Sequence, residues 1–236
     1  MARILSLMFM VMTAIASYAQ NTTLIAYYSF TNNCKEITET LSSQISADVL
    51  RIEPAEKGLN YAANGYALGS QLISAIKANA TDESSYPAID PIDVDLTKYT
   101  TIIIVTPLWW SQMAAPMQTF LFKYGSQLAG KNLGLIVSSH SSGISGVEND
   151  CQRLVPTSVC KYLSKSLWIN VSTHSSRSSL ITTWLADVNY TTLTAINEVP
   201  SDKPAASNSI YSIDGRKLTQ VPNKGIYIEN GRKRVK

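Results

Sequence analysis

Three short polar and aromatic segments each follow an apolar, strand-like run: Ser29-Phe30-Thr31-Asn32-Asn33-Cys34, Pro107-Leu108-Trp109-Trp110, and Ser138-Ser139-His140-Ser141-Ser142-Gly143. In an open parallel sheet such loops gather at the carboxyl ends of the strands. There, helix N-terminal amides and hydroxyls hold an anion, and aromatic side chains wall a flat ring. These residue types suit a phosphorylated, planar ligand. In the first segment Ser29, Thr31 and the amides of Asn32, Asn33 and Cys34 converge on one point. An N-capping turn explains the same residues, since Thr31 and Asn32 are ordinary caps. Trp109 and Trp110 either stack on a ring or pack into the core. In the third segment the hydroxyls, with Gly143 and Gly146, let the backbone approach a ring edge. His140 is there a ligand contact or a plain surface residue, and His174 reads as solvated.

The elements that must position these loops are visible as periodicity. Thr23 to Tyr28 is a buried-strand run, and Asn33 to Ile45 places Ile37, Leu41 and Ile45 on one helical face. Asp48 to Ile52 supplies a short strand. The crossover from Glu53 to Thr100 is long, with a helix marked by Leu68, Leu72, Ile73 and Ile76 and an extended return marked by Tyr86-Pro87 and Asp90-Pro91. Thr101 to Val105 is an uninterrupted β-branched run, as a central parallel strand requires, ending at Pro107. A helix over Ala115 to Tyr124, a strand over Leu133 to Val137, a helix over Val147 to Leu154, a last strand within Val159 to Val171 and a helix through Leu180, Trp184 and Val188 complete the alternation. Alternating strand and helix predicts a doubly wound α/β sheet.

Composition agrees with a globular chain of one substantial core plus an appendage: 236 residues, 45% hydrophobic and 16% charged. Arg3, the uncharged run Ile4 to Ala16 and Ser17-Tyr18-Ala19 have the basic, apolar and small-residue order of a secretory signal peptide, so residues 1–19 are expected to be a leader. The apolar run is shorter than the roughly 20 residues that span a bilayer. Residues 201–236 carry eight Lys/Arg against three Asp/Glu, so the tail is basic and residues 20–200 are mildly acidic. Export argues against a nucleic-acid partner for that basic tail. Residues 195–207, with Pro200 and Pro204, read as a linker between a main domain over 20–194 and a tail over 208–236. The tail reads as a small β-meander of Ile210 to Ile213, Lys217 to Thr219, Gly225 to Glu229 and Arg232 to Val235, with turns at Asp214-Gly215 and Asn230-Gly231.

Taken together, residues 22 to 190 resemble the flavodoxin-like proteins, in the branch with a Pro-[Ile/Leu]-Trp-Trp second loop; Tyr27-Tyr28-Ser29, Pro116 to Leu121 and Ile144 to Pro156 extend the likeness. The resemblance implies a five-stranded parallel sheet with helices on both faces and a non-covalent FMN. Carried over by position, Ser29, Thr31, Asn32, Asn33 and Cys34 would meet the phosphate. Pro107, Leu108, Trp109, Trp110 and Ser111 would meet the ring, and Ser139, His140, Ser141, Ser142 and Gly143 its other side. The chain departs from the family at Asn32, where glycine is usual, at Cys34, where a hydroxyl is usual, and in a third loop with fewer glycines. Asparagine tolerates the left-handed backbone, whereas a thiol is a poor donor to phosphate. A thiol at a helix N-terminus is either redox-active or an inert small residue. Cys151 and Cys160 flank Pro156, and their pairing is open.

The tail resembles the sorting domains of type IX secretion cargo in Bacteroidetes, in Ile210-Tyr211-Ser212-Ile213-Asp214-Gly215-Arg216 and Gly225-Ile226-Tyr227. That implies contact with secretion machinery and release or surface attachment; a plain β-appendage would leave the protein periplasmic. The expectation is an exported FMN-binding electron carrier or small reductase of the quinone or nitro-compound type, exchanging electrons with a redox partner or small acceptor. The alternative is a flavodoxin-fold surface binding module without FMN.

Overall fold

The computed structural model describes residues 22–190 and, beyond them, 210–212, 216–218, 220, 222, 224–229 and 232–235. The expected leader, the linker and the Asp214-Gly215 and Asn230-Gly231 turns lie outside the described residues. The chain divides into two compact units, Met1–Thr191 and Thr192–Lys236.

In the first unit, strands β1 (Thr23–Tyr27), β2 (Asp48–Arg51), β3 (Thr101–Trp109) and β5 (Asn132–Ser139) form a parallel sheet in the order β2-β1-β3-β5. The last position is shared by two short strands, β6 (Lys161–Tyr162) and β7 (Leu167–Asn170), which both pair in parallel with β5. The single expected strand is therefore interrupted at residues 163–166, between Leu133↔Tyr162 and Ile136↔Leu167. Helices α1 (Asn33–Ser42), α2 (Ala63–Ala78), α3 (Ala115–Tyr124), α4 (Ser145–Leu154) and α5 (Arg177–Asp187) connect the strands.

Two-residue alternation sends side chains from one strand to opposite faces. Leu24, Ile102, Ile104, Leu133, Leu135 and Val137 pack with Met117, Phe120 and Leu121 of α3 and Val147 and Cys151 of α4. Ile25, Tyr27, Ile103, Val105 and Ile136 pack with Ile37 and Leu41 of α1 and Ile181 and Trp184 of α5. Helix α2 lies against α3, through Ile73, Ile76 and Ala115. The run Ile102-Ile103-Ile104 is fully buried, and each such side chain contributes about 1.5–3 kcal/mol. That is why β3 is central and why the sheet is covered on both sides.

Strand β3 does not stop at Pro107. Its Pro107 still pairs with Ser138 of β5, and the Pro107 carbonyl accepts from the Ala114 amide at 3.2 Å. Leu108 and Trp109 then fold back onto β4 (Gln112–Met113) as an antiparallel hairpin. The missing proline N–H removes one donor without ending the extended backbone.

The second unit is an antiparallel sheet of β8 (Ile210–Ser212), β9 (Lys217–Leu218), β10 (Ile226–Glu229) and β11 (Arg232–Val235), in the order β11-β10-β8-β9. It differs from a simple meander in one step. β10 pairs with the open edge of β8 and not with β9.

Candidate functional site

At the carboxyl end of the sheet, where strand order reverses between β1 and β3, lies a cleft of about 390 Å³. This is the position at which doubly wound sheets bind ligands. Ser29, Thr31, Asn33 and Cys34 line it from the loop after β1; Pro107, Leu108, Trp109 and Trp110 line it from the end of β3; Ser138, Ser139 and His140 line it from the end of β5. Asn32, Ser111, Ser141, Ser142 and Gly143 are not among its lining residues. The cleft also takes Phe30, Tyr61, Tyr66, Gly69 and Val171. Of these, Tyr61, Tyr66 and Gly69 come from the long crossover before β3, a segment with no local sequence signal for a site.

The first loop is built to face an anion. Asn32 stands at φ 65°, in the left-handed region, and α1 begins with no side-chain cap. An N-capping turn is thus absent from this helix, and its first-turn amides are left for another acceptor. Beside them the Ser29 hydroxyl is buried without a hydrogen-bond partner, a state that costs about 1–3 kcal/mol unless something supplies one. These two features fit a phosphate.

Cys34 behaves differently from its sequence reading. It is 1% exposed and packs with Ile25, Ile37 and Val105. Burial pushes its thiol well above the usual cysteine range, and the hydrogen bond with Ser138 offsets only part of that. Desolvation overrides the lowering expected at a helix N-terminus, which disfavours the thiolate, and the thiol's hydrogen-bond partner is Ser138. All three cysteines, Cys34, Cys151 and Cys160, are buried and unbridged.

The aromatic wall is a packed set. The Trp109 ring meets Tyr28 edge-on at 5.6 Å and Tyr61 at 4.9 Å, and Tyr61 meets Phe30 at 5.4 Å. Trp109 therefore serves both as core and as cleft wall. Trp110 is 45% exposed and sits with Ser111 in the two-residue hairpin turn, at φ 48° and 62°. A turn with both central residues left-handed normally uses Asn-Gly; here a tryptophan holds that strained backbone. Its ring rests on Gly69 of α2, where an added Cβ would come within 2.8 Å of the indole. Among the described residues no Asp, Glu, Lys or Arg lines the cleft, so its walls suit a neutral, flat ring.

In the third loop, Ser139 accepts from the Trp168 indole at 2.8 Å and donates to the Ser142 carbonyl at 2.8 Å. Its hydroxyl is occupied in shaping the loop. Ser141, Ser142 and Gly143 are exposed and do not line the cleft. His140 is exposed at the cleft edge, and its carbonyl accepts from the Val171 amide. His174 is not simply solvated. Its Nε2 lies 3.0 Å from Glu36 on α1, and Arg177 reaches the same carboxylate at 3.4 Å. The His174 contact lowers the Glu36 pKa.

The fold has counterparts among known proteins. A family model described as flavodoxin matches residues 22–188. A candidate flavoprotein from Bacteroides eggerthii is similar at 21% identity and a TM-score of 0.55, over 72% of this chain and 99% of that one. A flavoprotein from Lactobacillus acidophilus, solved in complex with FMN, is similar at 19% identity and a TM-score of 0.53, over 67% and 99%. A third solved chain, from Bacteroides uniformis, is similar at 24% identity and a TM-score of 0.53, over 69% and 98%. At such identities the likeness concerns the fold. No curated protein matches the chain.

Proposed function

Because the chain belongs to the flavodoxin family, we propose that it binds FMN in the cleft between β1, β3 and β5. We further propose that it works outside the cytoplasm as an electron carrier or small flavin-dependent reductase. The observation that carries the FMN reading is the buried, unpartnered Ser29 hydroxyl beside the uncapped start of α1. A monophosphate ester there would accept from Ser29 and from the first-turn amides, with its charge at the positive end of the helix. Trp109 and Trp110 would flank the ring, and Tyr61 would exclude water behind it. When bound, FMN supplies reversible one- and two-electron chemistry that needs no acid or base side chain.

Of the two, the reductase reading is supported by Ser141–Gly143 being exposed and not lining the cleft, which would leave one ring side open to a quinone or nitro-compound. The leader-like amino end and the sorting-like tail support export to the periplasm or, through secretion machinery, to the cell surface. Titration of the full chain with FMN, followed by flavin fluorescence and visible absorption, tests the reading. Saturable binding at micromolar FMN is expected, followed by rapid reoxidation by quinones after reduction. No binding at high micromolar FMN would overturn it in favour of a surface binding module.

A further inference from the structure

Within the hairpin that carries Trp109 and Trp110, Met113 is bonded to the body of the domain through both its backbone groups. Its amide donates to Asp150 Oδ2 at 2.9 Å, and its carbonyl accepts from Gln118 Nε2 at 2.7 Å. Arg153 closes the circuit with one nitrogen, which donates to Asp150 Oδ1 at 3.0 Å and to Gln118 Oε1 at 2.7 Å. The second terminal guanidinium nitrogen donates to the Tyr86 hydroxyl at 3.0 Å. Met113, Gln118 and Asp150 are buried at 0%, 1% and 6% exposure. The ring of bonds thus joins β4, α3 and α4 in a low-dielectric setting, where breaking one member leaves a buried group unpaired.

A buried carboxylate is costly unless it is fully partnered. Helices α3 and α4 are already packed through Phe120, Leu121, Val147 and Cys151 and do not need a charge between them. What the charge does accomplish is to hold a backbone amide of the hairpin. Four residues before Asp150 on the same helix, Gly146 approaches the Ser111 carbonyl so closely that an added Cβ would fall 1.9 Å from its oxygen. Helix α4 therefore meets the hairpin at Met113 and at Ser111, on either side of Gln112, next to the left-handed Trp110.

We propose that Asp150, through Met113, is a positioning residue that sets the placement of Trp109 and Trp110 for the ring of the bound cofactor. This rests on the reading of the cleft as an FMN site. The test uses the full chain labelled with 5-fluorotryptophan, whose four indoles are assigned by single Trp→Phe replacements. Trp168 and Trp184 lie on β7 and α5 and serve as internal controls. In Asp150→Ala the Trp109 and Trp110 resonances are expected to shift or broaden while those of Trp168 and Trp184 stay in place. The FMN dissociation constant should rise at least tenfold. Asp150→Asn, which keeps an acceptor for the Met113 amide, should recover most of both.

Unmoved Trp109 and Trp110 resonances, or all four moving together, would overturn the proposal, because a merely structural carboxylate gives one or the other. If Asp150→Ala does not fold, the Asn variant decides by the same pattern, with smaller shifts confined to Trp109 and Trp110 as support. If the wild-type chain fails to bind FMN, the functional reading falls, and the fluorine pattern still decides whether Asp150 sets the hairpin.

Discussion

Replacing Gly146 by alanine sets two effects against each other, and the structure says which wins. Gly146 is the second residue of α4, where alanine normally gains up to about 1 kcal/mol through helix propensity. Yet a Cβ there would lie 1.9 Å from the Ser111 carbonyl oxygen and 2.9 Å from Gln112 Nε2. The Gln112 amide is the end of a flexible side chain and can swing away. The Ser111 carbonyl is backbone, in a turn already held at positive φ, and must retreat by about 1.5 Å to reach ordinary contact distance. Overpacking of this kind costs about 1–3 kcal/mol and more where backbone must shift. The net loss is about 2 kcal/mol, which for a domain of this size lowers Tm by roughly 4–8 °C. The assay is thermal unfolding followed by far-UV circular dichroism, with Gly143→Ala as control, since a Cβ at Gly143 meets nothing within 4 Å. Because the retreating carbonyl belongs to the residue after Trp110, FMN affinity should fall alongside. A Gly146→Ala chain that melts with the wild type, or above it, would refute the close approach of α4 to the hairpin.

Ser29→Ala should separate stability from binding. Removing a buried hydroxyl without a partner should raise the Tm of the ligand-free chain by a few degrees, while FMN affinity falls about five- to tenfold for the lost hydrogen bond; a lower ligand-free Tm would show that the hydroxyl is already satisfied. Glu36→Gln addresses the contact of α1 with His174 and Arg177. The Glu36 pKa is lowered in the fold, chiefly by the hydrogen bond with His174, so its stabilisation is present above the ordinary glutamate value near 4.3 and is lost as pH falls below it. Tm followed from pH 7 to pH 3 should therefore drop less steeply for Glu36→Gln than for wild type, and parallel curves would remove Glu36 from the acid response.

The strand-helix alternation, the central place of Thr101–Val105 and the gathering of three loops at one end of the sheet are legible in the sequence itself. Each is encoded by neighbours in sequence: period two or 3.6 in hydrophobicity, a β-branched run, a polar stretch after an apolar one. The left-handed backbone at Asn32 belongs to the same class, since one residue's side chain decides its tolerance for positive φ. What tertiary packing decided has no local signal. Tyr61, Tyr66 and Gly69 enter the cleft only because α2 lies against α3 and the hairpin. Glu36 meets His174 across 138 positions because α1 and α5 cover the same sheet face. The Cys34 thiol lies among Ile25, Ile37 and Val105 because α1 packs on that face of the sheet, and burial then raises its pKa. Periodicity is set by the covalent neighbours of each residue, whereas a cleft lining is set by which helices share a face and how closely their side chains allow them to approach.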